Sequence, residues 1–231
     1  MAELLHPEIR WPKTPAEALE QQRRLVKLLP PERPLGPVAL VGGLDVSYSR
    51  RLGRVFAVLT VARPGGGEEV ERAFGEAAAD FPYVPGLLSY REGPACVDAW
   101  RKLENVPDVL LCDGQGRAHP RRLGLASHLG LLFDVPTVGV AKSRLTGKHG
   151  PVGREKGATT PLVDAKTGET IGTVLRSRTD VRPLYVSVGA GLTLVDAVRI
   201  ALSELGRYRL PEPARRAHNL VTLYRKDAEG R

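Results

Sequence analysis

The sequence has 231 residues, of which 42% are hydrophobic and 26% charged, a composition typical of folded globular proteins. It contains no run of about 18 apolar residues and no basic N-terminal stretch followed by an apolar one, so we expect neither a membrane-spanning helix nor a secretory signal. Two cysteines, Cys96 and Cys112, are too few for a disulfide framework, and we expect reduced thiols in the cytoplasm. The length predicts a single domain over residues 1–231. The lack of a long apolar run predicts that no membrane is among its partners.

The formal net charge is +8, from 34 Lys and Arg residues against 26 Asp and Glu residues. Excess positive charge raises the affinity for polyanions such as nucleic acid without specifying a sequence. A basic bias without any such partner is the alternative. The cations are mostly arginine, which fits a heat-adapted organism and a GC-rich genome equally well.

The sequence predicts an N-terminal helix and a connector over residues 1–35. Thr14 can cap a helix, Pro15 suits its first turn, and an apolar stripe continues to Leu29 before several prolines. Three strand-like runs with short links follow and predict an antiparallel meander. These runs are Val38–Tyr48, Gly53–Ala62 and Glu68–Ala77.

The rest of the chain alternates helical and strand-like patterns. Helices are predicted at Gly86–Leu103, Arg121–Phe133, Leu194–Leu205 and Pro213–Tyr224, and strands at Val109–Cys112, Val138–Ala141, Ile171–Leu175 and Tyr185–Val188. The Gly93–Pro94 pair could break the first helix, residues 143–166 read as a surface loop, and residues 226–231 read as a frayed tail. Strand, helix and strand with short links predict a right-handed parallel crossover. The fold class is therefore α/β, a mixed β-sheet flanked by helices on both faces.

Asp113 directly follows the predicted buried strand Val109–Cys112 and precedes a segment rich in glycine and arginine. In open α/β sheets, ligands gather at the carboxyl ends of strands, so an acid there could hold a metal against a phosphate. A helix cap is the more frequent role for such an aspartate.

Asp45 lies midway along the first predicted strand, between the apolar residues Leu44 and Val46. An ionised carboxylate in buried surroundings is unfavourable unless it is paired or binds a metal. The alternative is a solvent-facing position on that strand. If the first and fourth strands are neighbours, Asp45 and Asp113 converge, and two acids around a hard cation are typical of phosphodiester hydrolysis.

Glu92 follows a stiff loop in which Pro82 and Pro85 flank Tyr83. Such a loop can hold an aromatic ring away from the protein body, where it could fill the gap left by an unstacked base. The alternatives are a Tyr83 packed against a neighbouring loop and a Glu92 on a solvated helix face.

Four blocks of this sequence resemble the Endonuclease V family of repair nucleases. They are GLDVSY (Gly43–Tyr48), PYVPGLLSYRE (Pro82–Glu92), DGQGRAHPRRLGLASHLG (Asp113–Gly130) and VPTVGVAKSR (Val135–Arg144). The resemblance implies a ribonuclease-H-like mixed sheet. It also implies a Mg²⁺-dependent endonuclease, in which Mn²⁺ can substitute, that recognises deoxyinosine in DNA. Cleavage at the second phosphodiester bond 3′ to the lesion would leave 3′-hydroxyl and 5′-phosphate ends.

The resemblance assigns the catalytic residues by their positions in these blocks. Asp45 and Asp113 match the family's metal-binding aspartates, and Glu92 matches its third catalytic carboxylate. Lys142 matches a lysine that can offset phosphate charge, and His218 lies where family members carry His or Asp near the site.

The resemblance also implies a set of residues that contact the lesion. Tyr83, with Pro82, matches the wedge inserted beside the flipped base. Glycines without a side chain would let the backbone approach that base, and basic residues would contact phosphates. The glycines are Gly86, Gly114, Gly116 and Gly124, and the basic residues are His119, Arg121 and Arg122. One departure is Ala190, which stands where the family commonly has His, so a histidine near the phosphate or metal site would be missing.

Two alternative functions stay open at this point. One is a ribonuclease specific for inosine in RNA, and the other is a nucleic-acid-binding relative that does not cleave. The sequence does not settle the choice between DNA and RNA, the range of other damaged or mismatched bases, or the number of metal ions. With no heptad pattern, a monomer is expected.

Overall fold

In the computed structural model, which describes residues 2–4 and 10–231, the chain forms eight β-strands and five α-helices. The strands are β1 (Val41–Ser49), β2 (Arg54–Ala62), β3 (Glu69–Ala78), β4 (Val109–Cys112), β5 (Thr137–Ala141), β6 (Thr159–Val163), β7 (Thr170–Leu175) and β8 (Leu184–Ala190). The helices are α1 (Pro15–Leu25), α2 (Leu88–Trp100), α3 (Leu125–Phe133), α4 (Leu194–Ser203) and α5 (Glu212–Ala228). None of the helices in this part of the chain is both long and apolar enough to span a bilayer.

The eight strands of the described residues form one mixed sheet in the order β3-β2-β1-β4-β5-β8-β7-β6. The first three strands pair antiparallel, which confirms the predicted meander. β1 pairs parallel with β4, and β4 pairs parallel with β5 across the α3 crossover. The remaining strands are antiparallel to their neighbours. The predicted mixed sheet is confirmed.

Alternating side chains of β2 show how the two faces of the sheet are covered. Val55, Ala57 and Leu59 belong to a core that includes residues of α2 and α3. Phe56 and Val58 point the other way and pack against Val221 of α5. Because successive side chains of a strand face opposite sides, helices cover both faces, as predicted.

The N-terminal helix begins as predicted and ends earlier. The Thr14 hydroxyl accepts a hydrogen bond from the Glu17 amide at 3.3 Å, and the Glu17 carboxylate accepts one from the Thr14 amide at 3.1 Å. This reciprocal pair is a capping box. The α-helix ends at Leu25, and a single 3₁₀ turn continues it over Val26–Leu28. The chain leaves the helical conformation at Leu29, which precedes Pro30 and has φ −58° and ψ 132°.

Helix α2 runs unbroken through Gly93 and Pro94. Its buried side chains include Ala95, Ala99 and Trp100, which pack on the sheet. The burial of these side chains outweighs the local preference of the Gly-Pro pair for a break.

The predicted surface loop over residues 143–166 contains the strand β6, so that part of the prediction is wrong. β6 lies at the edge of the sheet and pairs only with β7 among the described strands. It contains Pro161, which an edge strand tolerates because one side of it needs no ladder hydrogen bonds. Most of its side chains are partly exposed, so the strand lacks the alternation of apolar and polar residues that predicts a strand from sequence.

The predicted frayed tail over residues 226–231 is also wrong. Helix α5 continues to Ala228, and Glu229 is only 4% exposed. The Ser49 hydroxyl donates to the Glu229 carboxylate at 2.6 Å, and the Arg225 guanidinium donates to it at 2.9 Å. The Ser49 hydrogen bond joins the end of α5 to the end of β1, and the Arg225 hydrogen bond holds Glu229 against its own helix.

Helix α5 lies directly on β1 at Gly43. A Cβ atom at Gly43 would stand 2.1 Å from the Pro213 carbonyl group, far inside van der Waals contact. The Thr60 hydroxyl of β2 donates to that carbonyl oxygen at 3.0 Å. Glycine at this position therefore sets the distance between β1 and α5.

We predict that Gly43→Ala lowers the free energy of unfolding by about 2 kcal/mol or more, since α5 must move away from the sheet. The measurement is urea unfolding. Gly36→Ala is the matched control, because a Cβ at Gly36 meets nothing within 4 Å. Equal stabilities of the two variants would contradict the close approach.

Candidate active site and metal centre

The parallel pairing of β1 and β4 brings two carboxylates together. Leu44 stands opposite Cys112 in the register, and the Asp113 amide donates to the Leu44 carbonyl at 2.9 Å. Asp45 and Asp113 therefore follow paired positions on adjacent strands. Their predicted convergence required the first and fourth strands to be neighbours in the sheet, and these strands are neighbours.

A histidine and a lysine from other elements complete this cluster. The Nδ1 atom of His218 on α5 lies 2.6 Å from Oδ2 of Asp45. Ligand atoms of Asp45, Asp113 and His218 all lie within 4.8 Å of one another. Lys142, just after β5, forms an ion pair with Oδ2 of Asp113, and its Nζ lies 3.4 Å from the His218 ring nitrogen. The structure thus brings four of the predicted catalytic residues together.

The carboxylates of the site are held in surroundings that disfavour their charge. Burial, and then the charge of Asp113, raises the pKa of Asp45 to about 6. Glu92 on α2 lies outside the three-residue cluster, and burial followed by the charge of Asp45 raises its pKa to about 7. A cation placed among these groups would relieve both the desolvation and the repulsion.

The donor set fits a divalent metal ion. Carboxylate oxygens are the preferred ligands of hard cations such as Mg²⁺ and Mn²⁺, and an imidazole nitrogen is compatible with Mn²⁺. Among the described residues, Oδ2 of Asp113 is buried and makes no regular hydrogen bond, although it contacts Lys142. The Asp113 carboxylate already meets one positive charge, that of Lys142, and it supplies a ligand atom to the three-residue cluster. Asp45, Asp113 and His218 can therefore hold such an ion.

A pocket of about 410 Å³ adjoins the metal cluster. Asp113, Glu92 and Lys142 line it together with Tyr83 and glycines of two loops. Tyr83 is 69% exposed, so its ring projects into solvent instead of packing against the protein. The pocket thus combines acidic groups, the two cations Lys142 and Arg144, and an exposed aromatic ring.

Comparison with known proteins identifies the family. A model of the Endonuclease V family matches residues 20–219. Endonuclease V of Nostoc punctiforme is 45% identical over 213 residues, which cover 92% of this chain and 96% of the relative. The chain belongs to the Endonuclease V family. Membership implies a nuclease.

Solved structures of the Endonuclease V family share this fold. The Streptomyces avermitilis enzyme has a TM-score of 0.89 and 38% identity, with coverage of 95% of this chain and 96% of that one. Ciona intestinalis Endonuclease V, in complex with a 24mer DNA containing an inosine followed by a ribo-adenosine, has a TM-score of 0.78 and 26% identity. That match covers 92% of this chain and 98% of the Ciona chain. The predicted ribonuclease-H-like sheet is confirmed.

The four glycines predicted to form the base pocket differ in position. Gly86, Gly114 and Gly124 line the pocket beside the metal cluster, and Gly86 has a φ of +79°, which favours glycine. Gly116 is not part of the lining. It lies against β8 instead, where a Cβ atom would stand 2.1 Å from the Val188 carbonyl oxygen. Gly116 lets the loop after β4 approach the sheet.

His119 and Arg121, predicted to contact phosphates, are hydrogen-bonded inside the protein. His119 is 2% exposed, and its Nε2 lies 2.9 Å from the Gly86 carbonyl oxygen. The Arg121 guanidinium donates to the same oxygen at 2.8 Å. The two residues hold the wall of the pocket, and phosphate contacts by them stay a prediction.

Arg122 lies outside the helix that was predicted to begin at Arg121. Its φ of +59° is left-handed and incompatible with that helix, so α3 begins only at Leu125. The guanidinium forms ion pairs with Asp164 at 2.8 Å and Glu169 at 2.9 Å, which tie this loop to the β6–β7 hairpin. A phosphate contact by Arg122 also stays a prediction.

The departure at Ala190 lies far from the catalytic cluster. Ala190 is buried and pairs with Thr137 at the start of β5, whereas the site lies at the other end of that strand, beside Lys142. The expected loss of a histidine near the phosphate or metal is therefore wrong for this position. An alanine there packs in the sheet without touching the site.

Sequence patterns missed Gln22 of α1, which holds two walls of the pocket. Its side chain is fully buried and bonds to Gly86 and Leu123. The signal was present, because Gln22 interrupts the buried stripe formed by Ala18 and Leu25 at helical spacing.

We predict that Glu92→Gln stabilises the metal-free protein at pH 8 more than at pH 4. The folded-state pKa of about 7 exceeds the usual 4.5, so the parent loses stability as the pH rises between these values. The difference between variant and parent should grow by about 3 kcal/mol over that range. The measurement is urea unfolding in EDTA, with exposed Glu20→Gln as control. A pH-independent difference would contradict the raised pKa of Glu92.

Proposed function

We propose that this protein recognises deoxyinosine, the product of adenine deamination, and hydrolyses the second phosphodiester bond on its 3′ side. The products would carry 3′-hydroxyl and 5′-phosphate ends. The observation that carries the proposal is the cluster of Asp45, Asp113 and His218 beside a pocket that contains Glu92 and the exposed Tyr83. The inosine-containing DNA bound by the Ciona relative supports the substrate.

Asp45 and Asp113, with His218, would hold Mg²⁺ or Mn²⁺. A bound divalent ion polarises the scissile phosphate and stabilises the charge that develops on it. Lys142 contributes a fixed positive charge next to Asp113. The 2.6 Å contact with His218 orients the Asp45 carboxylate.

Glu92 is proposed as the residue that accepts a proton during hydrolysis. It lines the same pocket as Asp113. None of the described residues forms an ion pair with it. A proton acceptor is most effective when its pKa lies near the working pH, and burial raises the pKa of Glu92 to about 7.

Tyr83 and the neighbouring Pro82 are proposed to open the duplex at the lesion. Both are exposed on the loop before α2, and prolines on either side of Tyr83 limit its motion. A rigid aromatic ring can occupy the space vacated by a flipped base, which then enters the adjoining pocket. The net charge of +8 favours the approach of the phosphate backbone.

An inosine-specific ribonuclease and a non-cleaving binding protein are the competing functions. The presence of all three carboxylates, Asp45 and Asp113 in the cluster and Glu92 in the adjoining pocket, favours an enzyme. The test uses labelled strands with one inosine, made as matched DNA and RNA, with Mg²⁺ or EDTA. A Mg²⁺-dependent nick two bonds 3′ to inosine in DNA is expected. Cleavage of RNA alone would identify a ribonuclease. Binding without any nick would contradict the proposal that the protein is an enzyme.

We predict that Asp113→Ala lowers the cleavage rate by at least about a hundredfold and leaves inosine binding intact. The substitution removes a metal ligand and keeps the backbone that lines the pocket. Single-turnover cleavage and a gel-shift assay measure the two effects. Asp227→Ala, exposed near the end of α5, is the control. Unchanged cleavage in Asp113→Ala would refute the assignment.

We predict that Tyr83→Ala reduces the preference for inosine over undamaged DNA by about tenfold, because a base-stacking contact is lost. Tyr83→Phe keeps the ring and should behave like the parent. The measurement is the ratio of kcat/KM values on the two duplexes. Equal ratios for the parent and Tyr83→Ala would rule out the wedge.

A further inference from the structure

Gln22 is a buried polar residue on the N-terminal helix, away from every block that resembles the family motifs. Its side chain is fully buried, on the face of α1 that also carries Ala18 and Leu25. A buried amide is unfavourable unless its donors and acceptor are used. The partners of Gln22 therefore show what the residue does.

The amide of Gln22 joins two walls of the pocket. Its Nε2 donates to the Gly86 carbonyl at 3.0 Å and to the Leu123 carbonyl at 3.1 Å. Gly86 and Leu123 both line the pocket, from the loop before α2 and the loop before α3. The Oε1 atom accepts a hydrogen bond from Arg121 of the second loop. One side chain thus ties both loops to α1.

The hydrogen bonds around Gly86 fix the orientation of its peptide group. The carbonyl oxygen accepts from Gln22, His119 and Arg121, and the following amide, of Leu87, donates to Val84 at 2.9 Å. Both polar ends of this peptide are bonded within the protein. The peptide cannot turn without losing several hydrogen bonds.

We propose that Gln22 is a positioning residue that sets the width of the base pocket. The inference rests on the proposed recognition of inosine. Gln22 acts through the backbone of Gly86 and Leu123, and its hydrogen bonds do not include Asp45 or Asp113. Removing its amide should loosen the fit of the flipped base and leave the metal cluster unchanged.

The test compares Gln22→Met with the parent on duplexes with and without inosine. Methionine keeps the length and volume of the side chain and removes both donors. The KM for inosine DNA should rise about tenfold, and the preference over undamaged DNA should fall about tenfold. The kcat should stay within about twofold, because a loss of substrate fit without a loss of catalytic groups appears in KM.

Gln21→Met is the matched control, since the Gln21 amide donates to the Arg10 carbonyl and does not reach the pocket. Binding of Mn²⁺ without DNA, followed by electron paramagnetic resonance, should be the same in the parent and both variants. Thermal unfolding reports whether each variant folds. If Gln22→Met does not fold, Gln22→Glu replaces it, because glutamate keeps the acceptor for Arg121 and has no N–H donors.

Parent-like KM and parent-like preference in the folded Gln22 variant would overturn the inference. A fall in kcat with unchanged KM would also overturn it, because partial unfolding removes active enzyme without altering substrate fit. The failure of the proposed function is a separate outcome. In that case the parent itself would not nick inosine DNA, whatever the behaviour of Gln22→Met.

Discussion

The closeness of Asp45 and Asp113 is the constraint on which the site depends. Backbone hydrogen bonds between β1 and β4 place the two carboxylates side by side, so their repulsion cannot be relieved by moving a loop. Lys142 and His218 offset part of this repulsion in the metal-free protein. The remaining excess of negative charge would favour a divalent cation at this cluster.

The helices on the two faces of the sheet bring functional side chains to the same ends of the central strands. Helix α2 covers one face and presents Glu92, while α5 covers the other and presents His218. Gly43 permits the close approach of α5, and the Glu229 contacts hold the end of that helix. Residues distant from the cluster thus determine how precisely Asp45, Asp113 and His218 meet, which is the usual role of a supporting scaffold.

Sequence patterns predicted the central strands and the convergence of Asp45 with Asp113, because buried strands have clear apolar patterns and parallel pairing aligns their ends. They missed β6, where partial exposure and Pro161 remove the pattern. They also misjudged residues 226–231, because the burial of Glu229 depends on Ser49, distant in sequence. The partners of Arg122 likewise depend on a hairpin that begins some forty residues later. Tertiary contacts of this kind leave no local signal.

The central claim is that a divalent cation binds between Asp45 and Asp113. Anomalous scattering from crystals that contain Mn²⁺ tests it most directly. We expect a peak about 2 Å from a carboxylate oxygen of each aspartate, with His218 adjacent. A structure with Mn²⁺ bound elsewhere and none between these two carboxylates would contradict the claim.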